Sequence, residues 1–514
     1  VPPAIELRGI HKSFGAVRAN RDVSLAVAAG TIHGIVGENG AGKSTLMGIL
    51  YGYCQPDRGE ILVRGRPATI RSPQDALALG IGMVHQHFML VEPFTVLENV
   101  LLGTEGGVRL APGMRRARAR LERLSREYHL EVHPDARVAD LGVGERQRVE
   151  ILKALHRGAD VLILDEPTAV LTPQEADHLF RILRSLRGEG KTVLLVTHKL
   201  REIRDATDAV TVMRHGQIVA TRPTDGTTAA ELAELMVGRT VTLRVDTTPA
   251  RAGEPLLDVS ELVVADGLGV ARVKGVSFTV RRGEIVGIAG VAGNGQSELL
   301  EALAGIRPIA SGRLRWKGRE LTAARRSPRE MRRLGLSHVP EDRQRMGLIL
   351  PFEAQESAIL GHQDDAAYNG AIRLRRGALA SSFRRQSEEY DIRPRSGARP
   401  TSAFSGGNQQ KLVVARELDR HPDLLLVGQP TRGVDIGAIE SIHRRLVALR
   451  DAGKALLLVS VELDEILALS DRILVMHDGR IVGDVPRAAA TERALGRMMA
   501  GVTDEPGEPS PASS

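Results

Sequence analysis

The chain has 514 residues, 42% of them hydrophobic, which is material for several cores, since one core serves roughly 100 to 200 residues. Its 70 Lys+Arg stand against 63 Asp+Glu for a formal charge of +7, and aromatic residues make up only 3%. A mixed-sign surface with few rings for base stacking argues against a nucleic-acid groove and leaves acidic membrane headgroups as a compatible neighbour.

The single cysteine, Cys54, excludes an intramolecular disulfide and fits a reducing compartment, by default the cytoplasm. No run of about 18 apolar residues is present to span a bilayer, and the opening VPPAIELRGI lacks the basic-then-apolar layout of a signal peptide. Any membrane role is therefore expected to run through a partner.

In chain order, AIELRGI (4–10) and VSLAV (23–27) read as half-buried strands of a small antiparallel layer. TIHGIVG (31–37) is an unbroken apolar run, and it leads into Gly37, Glu38, Asn39, Gly40, Ala41, Gly42, Lys43 and Ser44, followed by Thr45. This is G-x-x-x-x-G-K-S/T between a strand and a helix, the context in which the pattern means a phosphate loop. Its glycines let backbone N–H groups approach phosphate oxygens, Lys43 reaches the terminal phosphates and Ser44 can ligate Mg²⁺. FMLVEPF (88–94) is either an exposed docking cluster or part of a buried helical subdomain. The Arg-rich stretch 114–130 predicts an exposed helix lying off the core. VLILDEP then places Asp165 and Glu166 at the end of a buried strand, where two carboxylates are costly without a cation or a reacting water. Asp165 suits a Mg²⁺ shell and Glu166 the polarisation of an attacking water. TVLLVTH (192–198) is a further apolar strand.

Residues 241–253 carry turn-prone Pro and Gly and read as a linker. Beyond it the apolar runs return at 284–290, 424–428 and 455–461, and the terminal 503–514, made of Pro, Ser and acids, is expected to be disordered. Runs without polar alternation suit strands covered by helices on both faces, hence an α/β fold around a parallel sheet.

The two series are one series repeated. RHGQIVA (214–220) answers HDGRIVG (477–483), and VGERQRVEILKAL (143–155) answers GGNQQKLVVAREL (406–418), both 263 residues apart. GIVGENGAGKST from Gly34 answers GIAGVAGNGQSE from Gly287 at an offset of 253. The second half therefore carries extra residues, expected around 362–395.

These motifs resemble the ABC ATPases over about residues 4–502. The resemblance implies two tandem P-loop nucleotide-binding domains, at 4–240 and 254–502. Each would have a mostly parallel sheet, an antiparallel β layer and a helical subdomain. It implies ATP and Mg²⁺ as cofactors and assigns further residues: Gln86 is the Q-loop glutamine, catalytic and metal-binding; His198 is the switch histidine; Phe14 stacks on adenine. The family's signature motif stands in the second half as Phe404, Ser405, Gly406, Gly407 and Asn408. In the family such a motif completes the phosphate loop of a facing domain, here by pairing of the two halves or with a second copy of the chain.

The second half departs from the pattern. Gln296 stands in the place of Lys43, Gly428 and Gln429 in the places of Asp165 and Glu166, Val461 in that of His198, and Glu341 in that of Gln86. The first half's own signature, Leu141-Gly142-Val143-Gly144-Glu145, has glycine where serine is expected. One hydrolytic site is expected, with a second that at most binds nucleotide. An intact first and degraded second half, with VPEDRQRMGL at 339–348, is similar to the ATPases of simple-sugar and nucleoside importers, and IGMVHQHFMLVEPFTVLENVLLG at 81–103 with GADVLILDEPTAVLTPQE at 158–175 is similar above all to the nucleoside branch. That implies a prokaryotic protein peripheral to the cytoplasmic face of the cell membrane. It would work with two transmembrane permease subunits, indirectly with a substrate-binding lipoprotein, and with no nucleic acid. The alternative is a soluble tandem ABC ATPase acting on the ribosome or nucleic acid.

Overall fold

A computed structural model describes the chain apart from residues 1, 16, 86–87, 104–109, 169–170, 172, 240–247, 292, 322–325, 371–372, 435 and 502–514. Two compact units divide it, Val1–Val241 and Thr242–Ser514.

The first unit contains β1 (Ile5–Phe14), β2 (Val17–Val27), β3 (Ile32–Gly37), β4 (Arg58–Val63), β5 (Arg66–Ala68), β6 (Ile81–Val84), β7 (Val161–Asp165), β8 (Thr192–Thr197), β9 (Ala209–Arg214) and β10 (Gln217–Pro223). One sheet, in the order β2-β1-β4-β5, is antiparallel; the other runs β10-β9-β3-β8-β7-β6. In the second sheet β9, β3, β8, β7 and β6 are parallel neighbours, and β10 closes it antiparallel. The strands of the parallel sheet lack a polar face because both faces are covered. Val161, Ile163, Leu194 and Val196 point to a core shared with the antiparallel layer and the Lys43–Leu50 helix, through Ile5, Leu7 and Leu46. Their alternating neighbours Leu162, Leu164, Val193 and Leu195 point to a helical layer containing Val100, Leu121, Leu152 and Leu183.

The second unit repeats the plan with β11 (Pro255–Ala265), β12 (Ala271–Arg281), β13 (Ile285–Ala289), β14 (Ser311–Trp316), β15 (Arg319–Glu320), β16 (Leu336–Val339), β17 (Leu424–Gly428), β18 (Ala455–Ser460), β19 (Arg472–His477) and β20 (Arg480–Pro486). Its sheets run β12-β11-β14-β15 and β16-β17-β18-β13-β19-β20, the same orders strand for strand. Of the expected linker, residues 248–253 are described. They form no helix or strand and are bonded within the second unit, Arg450 Nη2 donating to the Thr248 carbonyl at 3.0 Å and the Gly253 amide to Arg282 at 2.8 Å. Residues 241–247 and the tail 503–514 lie outside the described residues.

Two expectations change. The extra length of the second unit is not one insertion at 362–395. Matching elements are offset by 253 at β4 and β14, by 255 at helices Pro73–Ala78 and Pro328–Arg333, by 258 at Val96–Leu101 and Ala354–Ser357, and by 263 at Val143–His156 and Gly406–Leu418. The change of offset from 253 to 263 is thus spread over three connections, and the β11–β12 connection, Ala265 to Ala271, is also longer than its counterpart, Phe14 to Val17. The helix over 114–130 also differs. It runs Leu110–Glu127, and it is not simply exposed, because Ala117, Leu121, Leu124 and the following Tyr128 are buried in the helical-layer core while Arg116 and Arg123 face solvent. That apolar stripe at i, i+4, i+7 and i+11 is what an amphipathic surface helix buries.

Leu121→Ala is expected to destabilise the first unit by about 2–5 kcal/mol, against less than ~0.5 kcal/mol for Arg116→Ala, measured by denaturant unfolding. Equal effects would mean that the stripe does not pack.

Candidate functional site

The loop after β3 turns into the Lys43–Leu50 helix through Gly42, which caps it in the left-handed region at φ 98°. A Cβ at Gly42 would lie 2.3 Å from the Ala19 carbonyl of β2, so no other residue fits. Asn20, buried beside it, donates from Nδ2 to the Gly42 carbonyl at 3.2 Å and fastens loop to strand. Lys43 is buried, its ammonium donating to the carbonyls of Gly37 at 2.7 Å and Glu38 at 3.1 Å. Burial pulls it below the usual lysine range, against the opposing charges of Glu166, Asp165 and Glu38.

Asp165 ends β7, and Glu166 follows in the left-handed region at φ 47°, its amide donating to the Val196 carbonyl of β8 at 2.9 Å. The turn aims the two carboxylates differently. Burial pushes Asp165 up, helped by the charge of Glu166 and opposed by Lys43 and a hydrogen bond from the Ser44 hydroxyl. Glu166 is held down, first by the His198 hydrogen bond (Nδ1 to Oε1, 2.9 Å), against its own burial. Two acids whose protonation tendencies are driven apart by their surroundings are equipped for different tasks. Ser44 and Asp165 present hard oxygen donors at a helix N-terminus that favours phosphate, and a divalent cation would lower the raised pKa of Asp165, so these residues fit a magnesium–nucleotide pair.

The structure thus brings Lys43, Ser44, Asp165, Glu166 and His198 together in the first unit. Phe14 ends β1 about half exposed, with the Lys12 ammonium 5.5 Å from its ring centroid. Gln86 lies outside the described residues. Ser405–Asn408 belong to the second unit, where Ser405 caps the Gly406–Leu418 helix and accepts from Asn408 Nδ2 at 2.8 Å. In the corresponding helix of the first unit Gly142 stands at the cap, and Glu145 Oε2 accepts its amide at 2.9 Å. The 88–94 segment divides between both of its expected readings. Leu90 packs on the helical core while Met89 and Phe94 are exposed, and Met89 is anchored through its backbone to Glu150 at 2.6 Å and to Lys153 at 2.8 Å.

Sequence reasoning missed two positioning residues. Asn20 gives no signal in a strand of mixed polarity. Glu202, on the Leu200–Ala206 helix, is buried and pushed up by that burial, and it accepts from Thr168, two residues past Glu166, and from Thr197, next to His198. It joins the turn that carries Glu166 to the strand end that carries His198. A glutamate on a short charged helix reads as solvent-facing until the partners are placed.

Residues 20–169 and 273–432 match the family model described as ABC transporter. The chain is 47% identical over 97% of its length, and 98% of the relative's, to the nucleoside import ATP-binding protein NupA of Lactococcus lactis subsp. cremoris. It is 47% identical over 98% of both chains to the guanosine import ATP-binding protein NupO of Bacillus subtilis. It is 44% identical over 98% of its length to the glucose import ATP-binding protein TsgD13 of Haloferax volcanii, covering 96% of that protein. Among solved structures, an archaeal ribosome recycling factor, aABCE1, in complex with the ribosomal stalk protein aP1, aligns over 96% of this chain and 92% of its own at TM-score 0.61 and 21% identity, a likeness of fold alone.

Because His198 holds Glu166 ionised, His198→Ala is expected to raise the pKa of Glu166. The acid limb of the pH–rate profile for ATP hydrolysis then moves to higher pH, since Glu166 must be ionised to polarise water. An acid limb unmoved by the substitution would separate the two residues.

Proposed function

The chain belongs to the ABC transporter family, and from that premise we propose that it is the ATP-hydrolysing subunit of an importer for a nucleoside or a simple sugar, with a nucleoside favoured. The observation that carries this reading is that Lys43, Ser44, Asp165, Glu166 and His198 come together in the first unit. The relatives at 47% identity, named for nucleoside and guanosine import, support the substrate class.

ATP is the substrate, and Mg²⁺ held by Ser44 and Asp165 would supply neutralisation of phosphate charge. The chain's own groups do the rest. Loop amides between Gly37 and Ser44 cradle the phosphates, and the Lys43 ammonium exchanges the Gly37 and Glu38 carbonyls for phosphate oxygens, a charge-assisted bond contributing about 1.5–3 kcal/mol. Glu166 orients and polarises the attacking water, and His198 keeps that carboxylate ionised and aimed. Phe14 offers its half-exposed ring to adenine, Gln86 would stand with Ser44 and Asp165 as a metal ligand, and Ser405 to Asn408 would complete the phosphate loop of a facing cassette.

Among the described residues no helix is long and apolar enough to cross a membrane. The subunit is therefore proposed to reach the membrane through two permeases on its cytoplasmic side, the exposed Met89 and Phe94 being part of the surface they contact. A substrate-binding lipoprotein would act on the permeases and not on this chain.

Glu166→Gln is expected to lower steady-state ATP turnover by about 10²–10⁴-fold while nucleotide binding persists, and to abolish uptake of labelled nucleoside by membranes carrying the assembled transporter. Undiminished turnover would remove the proposed base. Uptake of pentose without nucleoside would move the chain to the sugar branch.

A further inference from the structure

A cavity of about 320 Å³ opens between the helices Val143–His156 and Pro173–Gly188 of the first unit, and none of the residues that line it takes part in the catalysis proposed above. Its size is at the small end of the roughly 300–1,000 Å³ of ligand pockets, which suits one ring system carrying one anionic group. The walls are aliphatic, with Ile151 from the first helix, Leu179 and Ile182 from the second, and Leu171 just before it. Gln147 also lines the cavity. It is only 3% exposed, and among the described residues its Oε1 has no hydrogen-bond partner. A buried carbonyl oxygen without a donor is costly to keep, and a ligand N–H facing it removes that cost.

The rim is cationic. Arg148 and Arg181 set two guanidinium charges against the one carboxylate of Glu175. Arg148 donates from Nε to the Glu131 carbonyl at 3.1 Å and holds Glu145 no closer than 4.0 Å, and Arg181 has His178 Nδ1 as its partner at 3.3 Å. Burial keeps His178 below the usual histidine range, helped by the charges of both arginines and opposed by that of Glu131. An anion seated among the three would relieve this crowding of positive charge. Guanidinium forks favour phosphate, which accepts two parallel bonds from one fork.

The second unit keeps the glutamine and arranges its cations differently. Gln410 stands for Gln147, buried and with its Nε2 unmet. Arg445 takes the place of Ile182, its guanidinium 3.7 Å from the Tyr390 ring centroid and its Nη1 3.1 Å from Glu389. Arg444, in the place of Arg181, pairs with Glu440, while Ala438 and Ser441 replace Glu175 and His178. Both of these arginines are held by acids, whereas Arg148 and Arg181 border a cavity with an unmet acceptor in its wall.

We propose that this cavity binds a nucleoside monophosphate, with its phosphate on Arg148 and Arg181, its base between the aliphatic walls and a base N–H on Gln147 Oε1. The common nucleobases each set an N–H donor beside an acceptor, an edge that a carboxamide matches. The choice of this class among organic anions rests on the reading of the chain as the ATPase of a nucleoside importer, since phosphorylation of an imported nucleoside yields such a molecule.

The test is equilibrium dialysis of labelled guanosine and uridine monophosphates against the full chain, with Mg²⁺ and the non-hydrolysed imido analogue of ATP at saturation to occupy any site for ATP. The wild-type chain is expected to retain one monophosphate. Arg181→Gln, at an exposed position, and Gln147→Leu, which keeps the size and removes the unmet oxygen, are each expected to weaken it about tenfold or more and to leave binding of the imido analogue unchanged. No bound monophosphate, or one that neither substitution weakens, overturns the proposal and leaves the ATP site standing. Ribose 5-phosphate bound as tightly as the monophosphates overturns it too, because the base then contributes nothing. Should the imido analogue itself not bind, the reading of the first unit fails, and a monophosphate that Arg181→Gln weakens still supports the cavity.

Discussion

Asp165 and Glu166 lie side by side at the end of a buried strand, and like charges that close cannot both be left to ionise freely. The first unit resolves this by giving each its own environment. Asp165 faces Ser44 and Lys43 in the phosphate loop, whereas Glu166, turned by a left-handed residue, faces His198 on the next strand. Everything that fixes the loop and the two strand ends relative to each other therefore bears on chemistry. Gly42 against Ala19, Asn20 on the Gly42 carbonyl, and Glu202 joining Thr168 to Thr197 are scaffold contacts whose loss would blur the separation of the acids.

The second unit shows the same constraint from the other side. With Gly428 and Gln429 no adjacent pair of acids remains, and no ammonium is needed to balance one. The strand order and the left-handed turns are kept because they are set by glycines packed against strand carbonyls and by sheet register, not by the catalytic side chains. Transition-state stabilisation depends on a few groups and the cradle on many, so a duplicated fold that changes only those few side chains would lose catalysis before it lost its shape.

Much of this was legible in the sequence. The unbroken apolar runs marked β3, β7, β8, β13, β17 and β18 within about a residue, because strands buried on both faces carry no polar alternation. The phosphate loop and the acid pair were legible because backbone approach to phosphate admits few residue types. The packing of the 110–127 helix was hidden by its arginines, which dominate the composition while Ala117, Leu121 and Leu124 form the stripe that decides burial. Glu202 and the Ser297–Glu341 bond were not legible at all, since each depends on side chains from different elements meeting across a turn.

Hydrolysis by the first unit alone follows from the asymmetry between Lys43, Asp165 and Glu166 and their counterparts Gln296, Gly428 and Gln429. The most direct measurement of that asymmetry is orthovanadate trapping of photoreactive azido-ATP in the presence of Mg²⁺, with the labelled residues located by mass spectrometry. Vanadate-dependent label confined to residues 1–241 is the expected result, because trapping requires a completed hydrolysis; vanadate-dependent label in residues 242–514 would contradict it.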